Sequence, residues 1–379
     1  MKKTTHANCP RLSQDYSLYL DCTRFFAALF VVFSHCVQYG FIDKAVSYYI
    51  PDLGREAVMI FFVLSGYVIA YTCDLKRPSL SDYAIARAAR IYSVAFPVLI
   101  LTFGLSYGIS VFTGETHYQL SKMYIYIPLH SLFLGELWNI AEKPIWLVPY
   151  WSLSYEVWYY IFFASLYFFS GLKRVLIAGV IFSLLGHKLW LLLPIWLSGV
   201  ALYHHQHHLQ FSQRTARLGW FFTIALLSTY KFFDIDQTLR VYGNEIWPFA
   251  SLTLGSADRY LSDYLITLMV LVNFLCAKHA NFVGLARYKS IIRTVSSYTF
   301  TLYLVHALVI SLWREFYPFD PTSIIDITLL LSAIGIATYL FGHLTEHRKH
   351  WFHNAFTWLY ESTLGRRAAL LKRETFSKS

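Results

Sequence analysis

Residues 19–40 read YLDCTRFFAALFVVFSHCVQYG. Ten residues separate Arg24 from His35, and all but Ser34 are apolar. About 20 apolar residues rising 1.5 Å each cross a hydrocarbon core of ~30 Å, so this stretch reads as a membrane-spanning helix. The 11-residue step from Arg24 to His35 leaves about 20° of rotation at ~100° per residue, which puts both on one face, ~16 Å apart along the axis. With Arg24 at the membrane boundary, His35 is expected near mid-depth. An imidazole there is mostly neutral at pH 7, the state a general base needs. The alternative is a structural histidine bonded to a neighbouring helix.

Similar runs recur along the whole chain. Ten candidate spans follow: 18–39, 53–73, 91–112, 150–170, 174–187, 189–203, 218–234, 260–277, 295–314 and 323–343. The fifth and sixth are short enough to form a tight hairpin. Residues 124–138 (YIYIPLHSLFLGELW) carry Pro128 and read as an interfacial or re-entrant segment, not an eleventh span. The composition agrees. The 379 residues are 56% apolar and 14% charged, with a mean hydropathy of +0.43. Soluble domains lie nearer about 45–50% and about 25%. Disorder, a solvated coiled coil and a two-domain soluble enzyme are therefore excluded. Aromatic residues reach 19%, as rings at lipid–water boundaries require.

The net charge of +10 follows the loops. With the N-terminus in the cytoplasm, the loops on that side and both termini collect 23 of the 32 Lys and Arg. That bias is an orientation signal rather than a nucleic-acid footprint, and it predicts both termini on the cytoplasmic side. Lys2 and Lys3 precede no apolar core before Leu18 and no small-residue cleavage site, so the first span is expected to be retained. Cys9, Cys22, Cys36, Cys73 and Cys276 form no CxxC pair and read as small hydrophobes, not as disulfide or metal ligands. No loop is long enough to fold alone, and no internal repeat of the transporter kind is visible. The expected fold is all-α: a polytopic helical transmembrane domain over 1–346 and a basic amphipathic tail over 347–379. In that tail Trp351, Phe352, Phe356, Trp358 and Leu359 stand among basic residues and suit an interfacial helix on the anionic inner leaflet.

Ionisable groups inside spans are costly and point to function. In the fourth span, Ser152 and Glu156 stand at i and i+4 on one face, close to the expected depth of His35. Glu156 could orient the imidazole or hold a substrate hydroxyl; equally it could be a helix-stabilising carboxyl bonded to Ser152. In the ninth span, His306 lies ten residues above Ser296, with Tyr303 one turn below it. Ser65-Gly66 in the second span is also near mid-depth, and close helix packing is the simpler reading of Gly66. Arg87 and Arg90 guard the cytoplasmic mouth of the third span. They suit bidentate capture of phosphate, or ordinary positive-inside anchoring. His204-His205-Gln206-His207-His208 has no carboxylate or Cys at ligand spacing and reads as a solvated turn, so no metal is expected. Trp138, Trp146, Trp151 and Trp247 in the outer loops read as an aromatic belt or as contacts to a sugar.

Five of these motifs together resemble the signature of the acyltransferase-3 family of integral membrane O-acyltransferases. They are Arg24 with His35, IFFVLSGYVIAYT (60–72), the Arg87/Arg90 pair, WSLSYEVWYY (151–160) and YLVH (303–306), in the family's order. The resemblance implies an inner-membrane enzyme of roughly ten spans. Such an enzyme moves an acyl group, most often acetyl, from cytoplasmic acyl-CoA to a carbohydrate hydroxyl on a lipid-linked or extracytoplasmic glycan. His35 would be the general base and Glu156 would orient it or the acceptor. Arg87 and Arg90 would hold the CoA phosphates with help from Arg24, and Ser65, Tyr303 or His306 would face the developing oxyanion. Two positions depart from the pattern. Ala57-Val58-Met59, with Glu56 just upstream, replaces a Gly-Val-acidic run, and Glu346 is followed by His347 and Arg348 instead of a nearby Pro. Some relatives carry a fused hydrolase-like domain; here direct transfer, or a separate glycan-biosynthesis partner, is expected. The rival reading is a transporter or flippase with a His/Glu proton relay, against which the missing inverted repeat speaks.

Overall fold

The computed structural model describes residues 11–43 and 51–365, and every regular element among them is helical. Lys2, Lys3, Cys9 and the tail beyond 365 lie outside the described residues. In chain order the helices are α1 (Gln14–Gln38), α2 (Gly54–Lys76), α3 (Leu80–Thr113), α4 (Met123–Ser131), α5 (Tyr150–Phe168), α6 (Gly171–Leu185) and α7 (His187–His205). They continue with α8 (Gln213–Phe232), α9 (Ile235–Glu245), α10 (Tyr260–Ala280), α11 (Lys289–Ser296), α12 (Thr299–Phe316), α13 (Ile324–Leu344) and α14 (Lys349–Tyr360). Several begin where a side chain satisfies their first free N–H groups. The Ser13 hydroxyl accepts from the Tyr16 N–H, and Ser79 and Asp82 cap α3 reciprocally.

Among the described residues, five stretches are long and apolar enough to cross a membrane: α1, α2, α3, α10 and the run from Ile324 through α13 and α14. The bent pair of α12 and the segment before it, turned by 48°, makes a sixth if taken as one span. That is a polytopic helical membrane protein, with fewer clear spans than the ten expected. The difference has a physical source. α5 and α7 are each 19 residues long, but α5 carries Glu156 among five tyrosines, and His and Lys open α7. α6 has only 15 residues, short of the roughly 17–25 that a bilayer demands. The 124–138 segment holds a nine-residue helix with Pro128 inside it, too short to cross.

α6 and α7 meet at Gly186, whose φ of 79° and ψ of 171° only glycine adopts easily. Trp190 folds back onto Phe182 across this turn, ring centroids 5.0 Å apart. The core lies where α2, α5 and α7 converge on Phe62, Tyr67, Tyr155, Tyr159 and Trp196, all buried. α2 and α7 touch backbone to backbone. A Cβ at Gly66 would stand 2.1 Å from the Trp196 carbonyl oxygen, and one at Gly199 would stand 2.0 Å from that of Val63. The packing role expected of Gly66 is thus its role in the structure.

Charged groups are also buried here. Lys188 and Glu136 pair at 3.1 Å with side chains only 1% exposed, and Ser256 also donates to Glu136. Arg55 donates twice to Asp263 and lies 4.9 Å over the ring of Trp151. Both pairs join distant stretches of chain. Breaking a buried pair strands a charge, so they act chiefly to hold register between those stretches. α14 packs Phe356 against Tyr92 of α3 and leaves Trp351, Trp358 and Leu359 exposed, which is an amphipathic arrangement. Cys22, Cys36, Cys73 and Cys276 are free, the last three buried.

Candidate active site

Five helices supply the site. α2 and α5 both line one pocket and meet there through Ser65 and Glu156, and α1, α3 and α12 close its remaining sides. At one end it is lined by Arg24, Arg87 and Arg90, with Thr299 at the start of α12. Half-way along, Ser65 and Glu156 face each other. At the far end stand Val58, Phe61, Ser152 and Tyr303. Helical spacing explains the layering: Ser152, Glu156 and Tyr160 follow one another at i+4 on α5, and all three line the pocket.

At the arginine end, Arg24 lies 3.5 Å from Asp21, which also binds Arg293 at 3.2 Å. Among the described residues, neither Arg87 nor Arg90 has a carboxylate within ion-pair distance, and Arg90 is exposed to solvent. Of the three pocket arginines, Asp21 answers only Arg24, and Glu156 and Glu346 act on Arg90 from beyond ion-pair distance; the clustered guanidinium groups still repel each other, and an anion between them relieves that repulsion. In the middle, the Ser65 hydroxyl donates to Glu156 Oε1 at 2.8 Å, and the Tyr160 hydroxyl donates to the same oxygen. Tyr160 had no place in the sequence reading, although its i+4 spacing from Glu156 was visible. At the far end, the Ser152 and Tyr303 hydroxyls are 2.6 Å apart.

The histidine pair lies just beyond. Tyr303 packs edge-on against His306, ring centroids 6.4 Å apart, and His306 is completely buried. Nδ1 of His306 lies 2.8 Å from the Leu302 carbonyl oxygen, and its Nε2 lies 2.8 Å from Nδ1 of His35. A carbonyl only accepts, so His306 Nδ1 carries the proton and donates to Leu302. In a neutral ring, Nε2 of His306 then has the lone pair and accepts from the His35 Nδ1–H. This chain leaves the lone pair of His35 on Nε2, the ring nitrogen turned away from the bond to His306.

One expectation changes. The carboxylate expected beside His35 is elsewhere: Glu156 is held by Ser65 and Tyr160, while His35 takes a second imidazole. His35 lies in the last turn of α1, which begins at Gln14, well before Arg24, and ends at Gln38. Arg24, Ser65, Arg87, Arg90, Ser152, Glu156 and Tyr303 do share one pocket; His35 and His306 adjoin it across Tyr303. Trp138, Trp146, Trp151 and Trp247 do not line it. Glu346 has a role the sequence did not disclose: its Oε2 accepts from the Thr301 N–H at 3.1 Å and from the Thr301 hydroxyl at 2.8 Å, capping the start of α12. His204 lies 3.8 Å from Asp74, and no group of three His, Cys, Asp or Glu among the described residues is placed to hold a metal ion.

Comparison with known proteins bears on this arrangement. Residues 17–344 match a family described as an acyltransferase domain. The acyltransferase MdmB of Streptomyces mycarofaciens is 32% identical over 158 residues, 38% of this chain and 37% of that protein. The O-acetyl transferase of Shigella phage Sf6 is 33% identical over 85 residues, 22% of this chain and 25% of that protein. The chain thus spans well under half the length of these curated relatives. No solved structure matches. A match running from the first described helix to the end of α13, through every residue of the pocket and both histidines, means that this chain belongs to the acyltransferase-3 family.

Proposed function

We propose that the protein is a membrane O-acyltransferase of the cell inner membrane. It moves an acyl group, acetyl first among the candidates, from cytoplasmic acyl-CoA to a hydroxyl of a cell-surface or lipid-linked glycan. Its termini face the cytoplasm and the chain crosses the bilayer about ten times. One observation carries this reading: Arg87 and Arg90, with no carboxylate at ion-pair distance among the described residues, line a pocket whose other end adjoins a hydrogen-bonded pair of histidines.

The chemistry follows from that layout. The arginines hold the phosphates of the donor, and its thioester arm lies along Ser65 and Glu156 towards Ser152 and Tyr303. A sugar hydroxyl has a pKa far above 7 and needs a base as it attacks. His35 Nε2 takes the hydroxyl proton while the oxygen bonds to the acyl carbon. One hydroxyl of the bonded Ser152–Tyr303 pair donates to the carbonyl oxygen as negative charge gathers there, and the other donates to that hydroxyl in turn. The C–S bond then breaks, and the His35 proton passes to the departing CoA sulfur. Imidazolium formed on His35 is stabilised by donating Nδ1–H to His306 Nε2, while the proton of His306 stays on its Nδ1 and is donated to the Leu302 carbonyl oxygen. Glu156, with its remaining oxygen, holds the acceptor or the donor amides.

Donor capture is tested on the purified protein in lipid nanodiscs with labelled acetyl-CoA. Hydrogen bonds to charged groups contribute about 1.5–3 kcal/mol each, so Arg87→Ala with Arg90→Ala should weaken binding by at least ~10-fold. Wild-type affinity in the double variant would remove the arginines from the donor site.

A further inference from the structure

The far end of the pocket is closed by side chains of one kind. Val58, Phe61, Phe62 and Leu153 surround it, and Ser152 and Tyr303 supply its only hydroxyls. Phe61 packs edge-on against Tyr303 at a centroid distance of 5.5 Å and an angle of 76°. Tyr303 is held in turn by its 2.6 Å bond to Ser152, and behind it lies His306. Phe62 is fixed separately by stacking on Tyr155. Phe61 is only half-buried, so its ring borders open space. Among the described residues no cationic side chain lines this end; Glu156 stands a turn away on α5, and the charge of Arg55, which reaches Tyr303 from outside the pocket, is taken up by Asp263.

We propose that Phe61, backed by Tyr303, is the stop that sets the length of the transferred acyl group and restricts the donor to short, uncharged acyl chains. This rests on the donor reading above. With the phosphates on the arginines and the thioester carbonyl at Ser152 and Tyr303, acyl carbons beyond the carbonyl run into the Phe61 ring. A terminal carboxylate, as in a succinyl group, meets no counter-charge there and approaches Glu156, which repels it. Length discrimination by an apolar wall is strong, since one misfitting methylene changes selection by about 10–200-fold.

The test is competition for labelled acetyl-CoA on the full chain in nanodiscs, using unlabelled acetyl-, hexanoyl- and succinyl-CoA. Wild type should be displaced by acetyl-CoA at a concentration at least ~10-fold below that needed for hexanoyl-CoA. Phe61→Ala should abolish that gap by admitting hexanoyl-CoA, with succinyl-CoA still a poor competitor. Phe61→Leu, a milder change that keeps the helix packed, should narrow the gap, and Phe61→Trp should widen it. A wild-type gap in the Phe61→Ala and Phe61→Leu proteins would overturn the proposal, as would a wild type indifferent to chain length. A wild type that binds no acyl-CoA at all would instead sink the donor reading beneath it.

Discussion

Removing the His306 ring is expected to cut acyl transfer nearly as deeply as removing the His35 ring. His306 has no need to touch substrate for this. Its Nδ1 proton is committed to the Leu302 carbonyl, which leaves Nε2 free to accept from His35 and so keeps the His35 lone pair on Nε2. In His306→Ala the His35 ring loses its partner, samples both tautomers and turns freely. Loss of a general base costs about 10²–10⁴ in rate, and loss of its orientation should approach that range. Residues that act as a unit are non-additive, so the double variant should be little slower than His35→Ala alone. His306→Gln offers an amide oxygen near the lost Nε2 and should recover part of the rate. The readout is kcat for transfer of labelled acetyl groups, with the amount of membrane-inserted protein measured in parallel. Full activity in His306→Ala would show that the imidazole pair has no catalytic meaning.

A second large effect concerns the scaffold. Gly66→Ala or Gly199→Ala should strip the protein of much of its stability, although neither residue carries chemistry. An added Cβ would stand about 2 Å from a backbone carbonyl oxygen of the facing helix, and backbone cannot turn aside as a side chain can. α2 and α7 would have to separate along their whole contact, dragging Phe62, Tyr67 and Trp196 out of register. Overpacking typically costs about 1–3 kcal/mol, and a clash against backbone belongs at or above the top of that range. Thermal unfolding in detergent checks this, with Gly104→Ala as a control, since nothing lies near a Cβ there. An unchanged Tm for Gly66→Ala would mean that the two helices do not approach this closely. Because α2 carries Phe61 and Ser65, the Gly66→Ala protein should also lose donor binding as it loosens.

Much of this site was legible in residue order. The i+4 spacing of Ser152 and Glu156 predicts a shared face, and both line the pocket. The Arg87/Arg90 spacing likewise delivers both guanidinium groups to one opening. What lay outside sequence reasoning depends on rotation and register between helices. The partner of His35 is one such case: Glu156 and His306 are both polar groups at plausible depth, and only the packing of α1 against α12 selects the second. Lys188 is buried against Glu136, 52 positions away, a pairing that no spacing in the sequence announces. The span count differs for another reason: Glu156 with five tyrosines in α5, and His187, Lys188, His204 and His205 at the ends of α7, keep these two helices out of the clearly apolar set.

The central claim is that His35 Nε2 takes the proton of an acceptor hydroxyl. It is tested by incubating membrane vesicles containing the protein with labelled acetyl-CoA and following the label into membrane glycan. Wild-type vesicles should transfer label, and His35→Ala vesicles, with equal amounts of inserted protein, should fall by at least ~10²-fold. Transfer by the His35→Ala protein at the wild-type rate would contradict the account.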